Sequence, residues 1–244
     1  MISTTWTPPS NPNPPETLHS AVIDKHEGSY EQALAKFLWF HNNAKQYDRG
    51  VSAVRLSFAL GYWLDLATVY PPARDAFIQT RDETEVAFRE NLPNFDLFQE
   101  IAAMNSRLGE GIRTADLFAH VAERDDATAR RLYHVAESEL IAAGRYRACA
   151  TFLDSKKRLE HAAASYRVAK RHEESRPQCG IPVPKLARRF YVENVATLVA
   201  LLIINDRPGD ARMACNEALQ VVDDDDFRLI LEAAMAGHLP SRSP

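Results

Sequence analysis

Five times along this chain a compact residue is followed four places later by a further apolar one: Ala33 and Phe37, Ala73 and Phe77, Thr114 and Phe118, Cys149 and Leu153, Ala211 and Cys215. On a helix, positions four apart lie one above the other on the same face. A small residue at a crossing lets two helix axes approach to about 8–10 Å, and the larger neighbour fills the groove beside it. The recurrence therefore constrains the chain to helices packed in pairs. The small positions are separated by 40, 41, 35 and 62 residues, so the units are irregular and the last interval spans nearly two.

Local signals support helices throughout. Alternating apolar and polar runs bounded by hairpin turns are missing, which argues against strands. Ser29 with Gln32 has the form of a capping box ahead of a helix carrying Ala33, Phe37 and Phe40. A helix is expected over 51–69, with Pro71-Pro72 ending it and opening the next. Asn94 is the expected cap after Pro93, Asp125-Asp126 cap a helix reaching Ala143, and Gly144 stops it. Further helices are expected over 185–204 and from Pro208, with a last one after the run Asp223–Asp226. The reading gives a proline-rich arm (1–15), one helical domain (16–236) with a proline- and glycine-containing excursion near 173–184, and a tail (237–244).

One unit carries a fuller pattern: Leu60, Gly61 and Leu64 on a first helix, then Ala73, Phe77 and Thr80 on a second. This resembles the tetratricopeptide-repeat signature, whose unit is about 34 residues. Weaker matches are Gly28, Tyr30 and Leu34, then Phe98, Ile101 and Ala102, then Tyr133, Ala136 and Leu140, then Val195, Leu198 and Leu202. The resemblance covers most of residues 16–222 and is to degenerate, tetratricopeptide-like proteins common in bacteria. It implies a right-handed α-solenoid of about five irregular antiparallel helix pairs, closed by a C-terminal capping helix. It also implies that the first helix of each pair lines a concave groove for a peptide or protein segment. Carried onto this chain, the groove residues are Arg55, Phe58, Tyr62 and Asp65, then Gln99, then Arg131 and His134. Asp96, Ser106 and Ser138 lie in the same stripes.

Composition narrows the function classes. Apolar residues at 45% and charged ones at 25% fit a globular chain rather than a disordered one. A formal charge of −4 gives no general attraction to nucleic acid or anionic lipid. The apolar stretch 195–204 is too short to span a bilayer, and the proline-rich start lacks the form of a signal peptide. Cys149, Cys179 and Cys215 form no CxxC pair, which suits a reducing, cytoplasmic compartment.

No phosphate-cradle, nucleophile-elbow or HExxH string is present. His134 and Glu137 at i, i+3 have a spacing that metals use, but helix-borne carboxylate sites need a second such pair. Asp223–Asp226 lacks the glycine and the alternation of a calcium loop and reads as a cap. The expectation is a non-enzymatic interaction module without cofactor. The alternatives are a metal-dependent helical enzyme and a self-associating structural module. In the fifth unit Val195, Leu198 and Leu202 stand beside a second apolar stripe, Ala196, Ala200 and Ile203, so this helix is expected to be covered all round. The final helix, through Leu229, Ala233 and Ala236, is the expected cover.

Overall fold

The computed structural model describes residues 6–47, 50–175 and 186–240, and every regular element among them is helical. Cys179 and most of the expected excursion lie outside the described residues, as do 1–5 of the arm and 241–244 of the tail. The chain groups into two compact units, Met1–Glu139 and Leu140–Pro244, where one helical domain was expected.

The first unit holds α1 (Pro14–His26), α2 (Tyr30–Tyr47), α3 (Val51–Arg55), α4 (Phe58–Ala67), α5 (Pro71–Glu90), α6 (Phe95–Leu108), α7 (Gly111–Ala122) and most of α8 (Asp126–Ala142). Capping chemistry sets these boundaries. The Asn94 carboxamide accepts from the Leu97 amide at 3.2 Å, and the Asp125 carboxylate from the Thr128 amide at 3.0 Å. Gly109 ends α6 in the left-handed region (φ 72°), which lets the Glu110 amide close back on the Asn105 carbonyl at 2.8 Å. Pro14 and Pro15, expected in the arm, instead form the first turn of α1 behind the cap Asn13.

The expected helix over 51–69 is two helices. At Ser57 the backbone leaves helical geometry (φ −124°, ψ −88°), and its hydroxyl donates to the Ala53 carbonyl at 2.5 Å. Arg107 of α6 donates to the Ser57 carbonyl at 3.0 Å. The break is thus held by a residue fifty positions away, which local periodicity does not register.

Packing in this unit is sequential: α1 on α2, α4 on α5, α6 on α7, with α2 also against α4 and α5 against α6. The first helices α1, α4 and α6 touch in that order as well. Ala33, Ala73, Thr114, Cys149 and Ala211 are all 0% exposed, and Phe37, Phe77, Phe118 and Leu153 are buried with them. Trp63 seals the α4–α5 crossing, its indole donating to the Ala73 carbonyl at 2.9 Å and meeting Phe77 edge-on at 5.1 Å.

The second unit holds the end of α8, α9 (Tyr146–Cys149), a short 3₁₀ turn, α10 (Ser155–Ser175), α11 (Leu186–Ile204), α12 (Pro208–Leu219) and α13 (Asp225–Met235). Helix α11 is its axis. Val195, Ala196, Leu198, Val199, Ala200, Leu201 and Leu202 are buried in succession, and α10, α12 and α13 all pack on it. The final helix does cover α11, but through another face. Phe227, Leu231 and Ala234 are buried, whereas Leu229 is 65% exposed and Ala233 and Ala236 face solvent. Phe227 meets Tyr191 of α11 edge-on at 6.0 Å, and the Asp224 cap fixes the phase.

Candidate functional site

The most polar part of the interior is a cluster that joins α2, α3 and α6. His41 (3% exposed), Arg55 (3%) and Glu100 (8%) meet there. Arg55 Nη2 donates to Glu100 Oε2 at 2.5 Å, and His41 Nε2 faces Glu100 Oε1 at 2.7 Å. A carboxylate only accepts, so His41 Nε2 donates in that contact, and Arg55 Nη1, 3.3 Å from the same nitrogen, gives its hydrogen to the His41 carbonyl at 3.1 Å. Burial alone pushes the Glu100 carboxyl up; the hydrogen bonds and charges of His41 and Arg55 outweigh it and hold the group at about 2. His41 Nδ1 and Arg55 Nε are buried without a hydrogen-bond partner among the described residues.

A second cluster joins α5, α6 and α7. Arg81, 2% exposed, donates to Asn105 Oδ1, Glu110 Oε2 and Asp82 Oδ1, each at 2.7 Å. Asn105 passes the chain on to the Thr114 hydroxyl at 3.1 Å, and Arg113 bridges Asp82 and Glu85 at 3.0 and 2.9 Å. Burial raises the Glu85 carboxyl and the hydrogen bonds from Arg89 and Arg113 more than reverse this. Between α1 and α2, the Lys36 ammonium donates to Ser20 Oγ at 2.7 Å and Asp24 Oδ2 at 2.5 Å. Each cluster sits at a helix crossing and, His41 Nδ1 and Arg55 Nε apart, bonds across to neighbouring elements, an arrangement suited to fixing which helices pair.

The residues expected in a groove fall into two groups. Arg55 is corrected: it stands on α3, not on the same helix as Phe58, and its guanidinium is consumed inside the fold. Phe58 (65% exposed), Tyr62 (38%) and Asp65 lie together on the solvent side of α4, three to four positions apart. Neighbouring first helices flank that side. Lys25 of α1 approaches Asp65 at 4.0 Å, and Arg107 of α6 reaches across to Ser57. Gln99 is exposed on α6. Arg131 and His134 are exposed on α8, and His134 stacks on Phe95 of α6 at 5.4 Å and 19°. The neighbouring Asp96 turns to Lys45 of α2 at 3.4 Å. Six of the seven residues are therefore solvent-exposed, three on α4, one on α6 and two on α8.

The composition of this surface is unusual for α4. Two aromatic rings side by side and open to water are what a buried contact uses, and mixed charges at the rim fit a recognition surface. Of the pair His134 and Glu137, Glu137 accepts from the Tyr133 hydroxyl at 2.7 Å while His134 stacks on Phe95. Among the described residues no group of three or more His, Cys, Asp or Glu side chains lies close enough to hold a metal ion. None of the described helices is long and apolar enough to cross a membrane.

The second unit has its own polar and open features. Arg188 forks onto Asp224 at 2.6 and 3.0 Å and reaches Asp226 at 2.8 Å, while Arg228 forks onto Asp223 at 2.7 and 2.8 Å. The acidic run thus caps α13 and is bound by two arginines, which pair with three of its four carboxylates. The Asp224 carboxyl is held low by the Arg188 hydrogen bond and the Phe227 amide. A groove of about 660 Å³ runs between α10 and α11, with Val168, Leu186 and Phe190 on its walls and His161 and His172 at its rim. Nothing in the sequence reading pointed to it, because its apolar walls are single residues on the charged helix α10 and on the charged first turns of α11.

No protein-family model, curated protein or solved structure matches the chain. The geometry of the site is the basis for the functional reading.

Proposed function

We propose that this chain is a non-enzymatic, tetratricopeptide-like solenoid module, cytoplasmic, whose first helices present a surface for a peptide or protein segment. The observation that carries this reading is the exposed pair Phe58 and Tyr62 on α4, bordered by Lys25, Asp65 and Arg107. Aromatic rings supply contact area at low entropic cost, and charges of both signs at the edge orient an incoming backbone. Gln99, Arg131 and His134 extend the surface along α6 and α8. The register of the five buried compact positions supports the repeat reading behind it.

The test is selection of peptides from a displayed random library on immobilised protein, followed by binding to a Phe58→Ala/Tyr62→Ala variant. Both residues are on the surface, so the variant should melt like the wild type. Enriched peptides should lose at least about tenfold in affinity for it, as removal of an aromatic anchor does. Peptides that bind both proteins equally, or a library that yields none, would remove this surface from consideration.

A further inference from the structure

The arm preceding α1 is not loose where it is described. Trp6 places its ring edge-on to Trp39 of α2, with centroids 6.0 Å apart and planes at 75°. Trp39 in turn packs on Tyr47 at 5.8 Å. Trp39, Asn43 and Tyr47 are spaced four apart, so they form one stripe along the outer side of α2, and the Asn43 carboxamide is tied down on the Trp39 carbonyl at 2.9 Å. Between Trp6 and α1 the chain is Thr7-Pro8-Pro9-Ser10-Asn11-Pro12-Asn13, without regular hydrogen bonding, and Pro12 is buried at its end. Pro8 and Pro9 favour an extended backbone at the start of this stretch, the chain bends at Ser10 and Asn11, and three prolines in seven residues leave it little freedom to lose on docking.

We propose that the Trp39–Tyr47 stripe is a receptor site for an extended, proline-flanked tryptophan segment. Its occupant is the chain's own arm, docked in cis, and the site takes the same segment offered in trans by a second copy. Aromatic stripes that read proline-rich strands work by this chemistry: flat rings pack against a backbone already set in its bound form. The slot is not closed over its occupant, since Tyr47 remains half exposed. One edge-to-face ring pair makes a contact weak enough to exchange. A tethered arm holds the site by a high local concentration rather than by intrinsic affinity. This surface belongs to α2 and does not depend on the α4 face or on the reading given to it.

The probe is a synthetic peptide of residues 1–13 with a fluorophore at its C-terminus, titrated by anisotropy against full-length proteins. The cis arm should mask the site in the wild type, so Trp6→Ala should bind the peptide at least about tenfold more tightly. Adding Trp39→Ala to that variant should remove at least about tenfold of the affinity, and so should Trp6→Ala in the peptide. If Trp39→Ala disturbs folding, Tyr47→Ala in the Trp6→Ala background serves instead, because Tyr47 is half exposed. Equal binding by the wild type and Trp6→Ala, indifference to the α2 variants, or no binding would each overturn the proposal.

Discussion

The two units bury different things at their helix crossings. Among the described residues of 1–139 the buried polar and charged side chains are Lys36, His41, Arg55, Arg81, Glu100, Asn105 and three threonines. Among the described residues of 140–244 no charged side chain is buried; the interior is built on α11, whose ten buried residues are alanines, branched aliphatics and one tyrosine. The arginines of the second unit stay at its surface, where Arg188 and Arg228 hold the acidic cap. An apolar helix has many nearly equivalent ways to lie against a neighbour. An arginine that must reach one particular glutamate has few. The first unit therefore spends desolvation to specify partners, while the second relies on close apolar packing and small residues.

The sharpest way to break this contrast is Glu100→Ala, which strands Arg55 and His41 in the interior. It should destabilise the first unit by about 3–5 kcal/mol, seen as lost hydrogen-exchange protection in α2, α3 and α6 while α11–α13 keep theirs. Acid should act at the same point. The folded Glu100 carboxyl titrates at about 2 against 4.5 for the free group. Its contribution, about 3 kcal/mol, is present above pH 4.5 and is lost as the pH falls toward 2. Replacing the trio together by His41→Phe, Arg55→Met and Glu100→Leu should restore most of the stability and flatten the acid response. Failure to restore it would mean that the charges stabilise and do not merely specify.

Leu198→Ala is the matching lesion in the second unit, costing about 2–5 kcal/mol through the cavity it leaves. Its cost should not vary between pH 3 and pH 7, so a pH-dependent loss would contradict the division drawn above. Ala73→Phe should cost about 1–3 kcal/mol by overpacking the α4–α5 crossing beside Trp63. Gln79→Ala on the solvent side of α5 is the control, and equal melting of the two would refute the register. Arg188→Ala should be the mildest. Surface pairs contribute about 0–1 kcal/mol, and the loss should shrink further in about 1 M salt.

Much of this was legible in the residues and some was not, for separable reasons. Caps at Asn94, Asp125 and Gly144 and the buried register of Ala33 through Ala211 are set by neighbours in sequence. The break at Ser57 and the burial of Arg55, Arg81 and Glu100 are set by partners 14 to 59 positions away. A charged residue on an amphipathic helix then reads as solvent-facing until its counter-charge is found. Helix α13 shows a third limit. The stripes at 227, 231, 234 and at 229, 233, 236 have the same spacing, and only the Asp224 cap and Tyr191 choose between them. Phe58, Tyr62 and Asp65 stand together on the exposed side of α4, because their spacing alone keeps them together once Leu60 and Trp63 go inward.

The three tryptophans of the chain, Trp6, Trp39 and Trp63, all fall within residues 1–139. Tryptophan fluorescence, excited to the red of the tyrosine band, is consequently a reporter of one unit and blind to the other. Trp63, buried and bonded to the Ala73 carbonyl, should emit to the blue and shift red only when the α4–α5 crossing opens. Far-ultraviolet ellipticity, by contrast, counts helices in both units. Overlaying the two denaturation curves of a single unlabelled sample measures whether the shared helix α8 makes the units melt as one or lets them part.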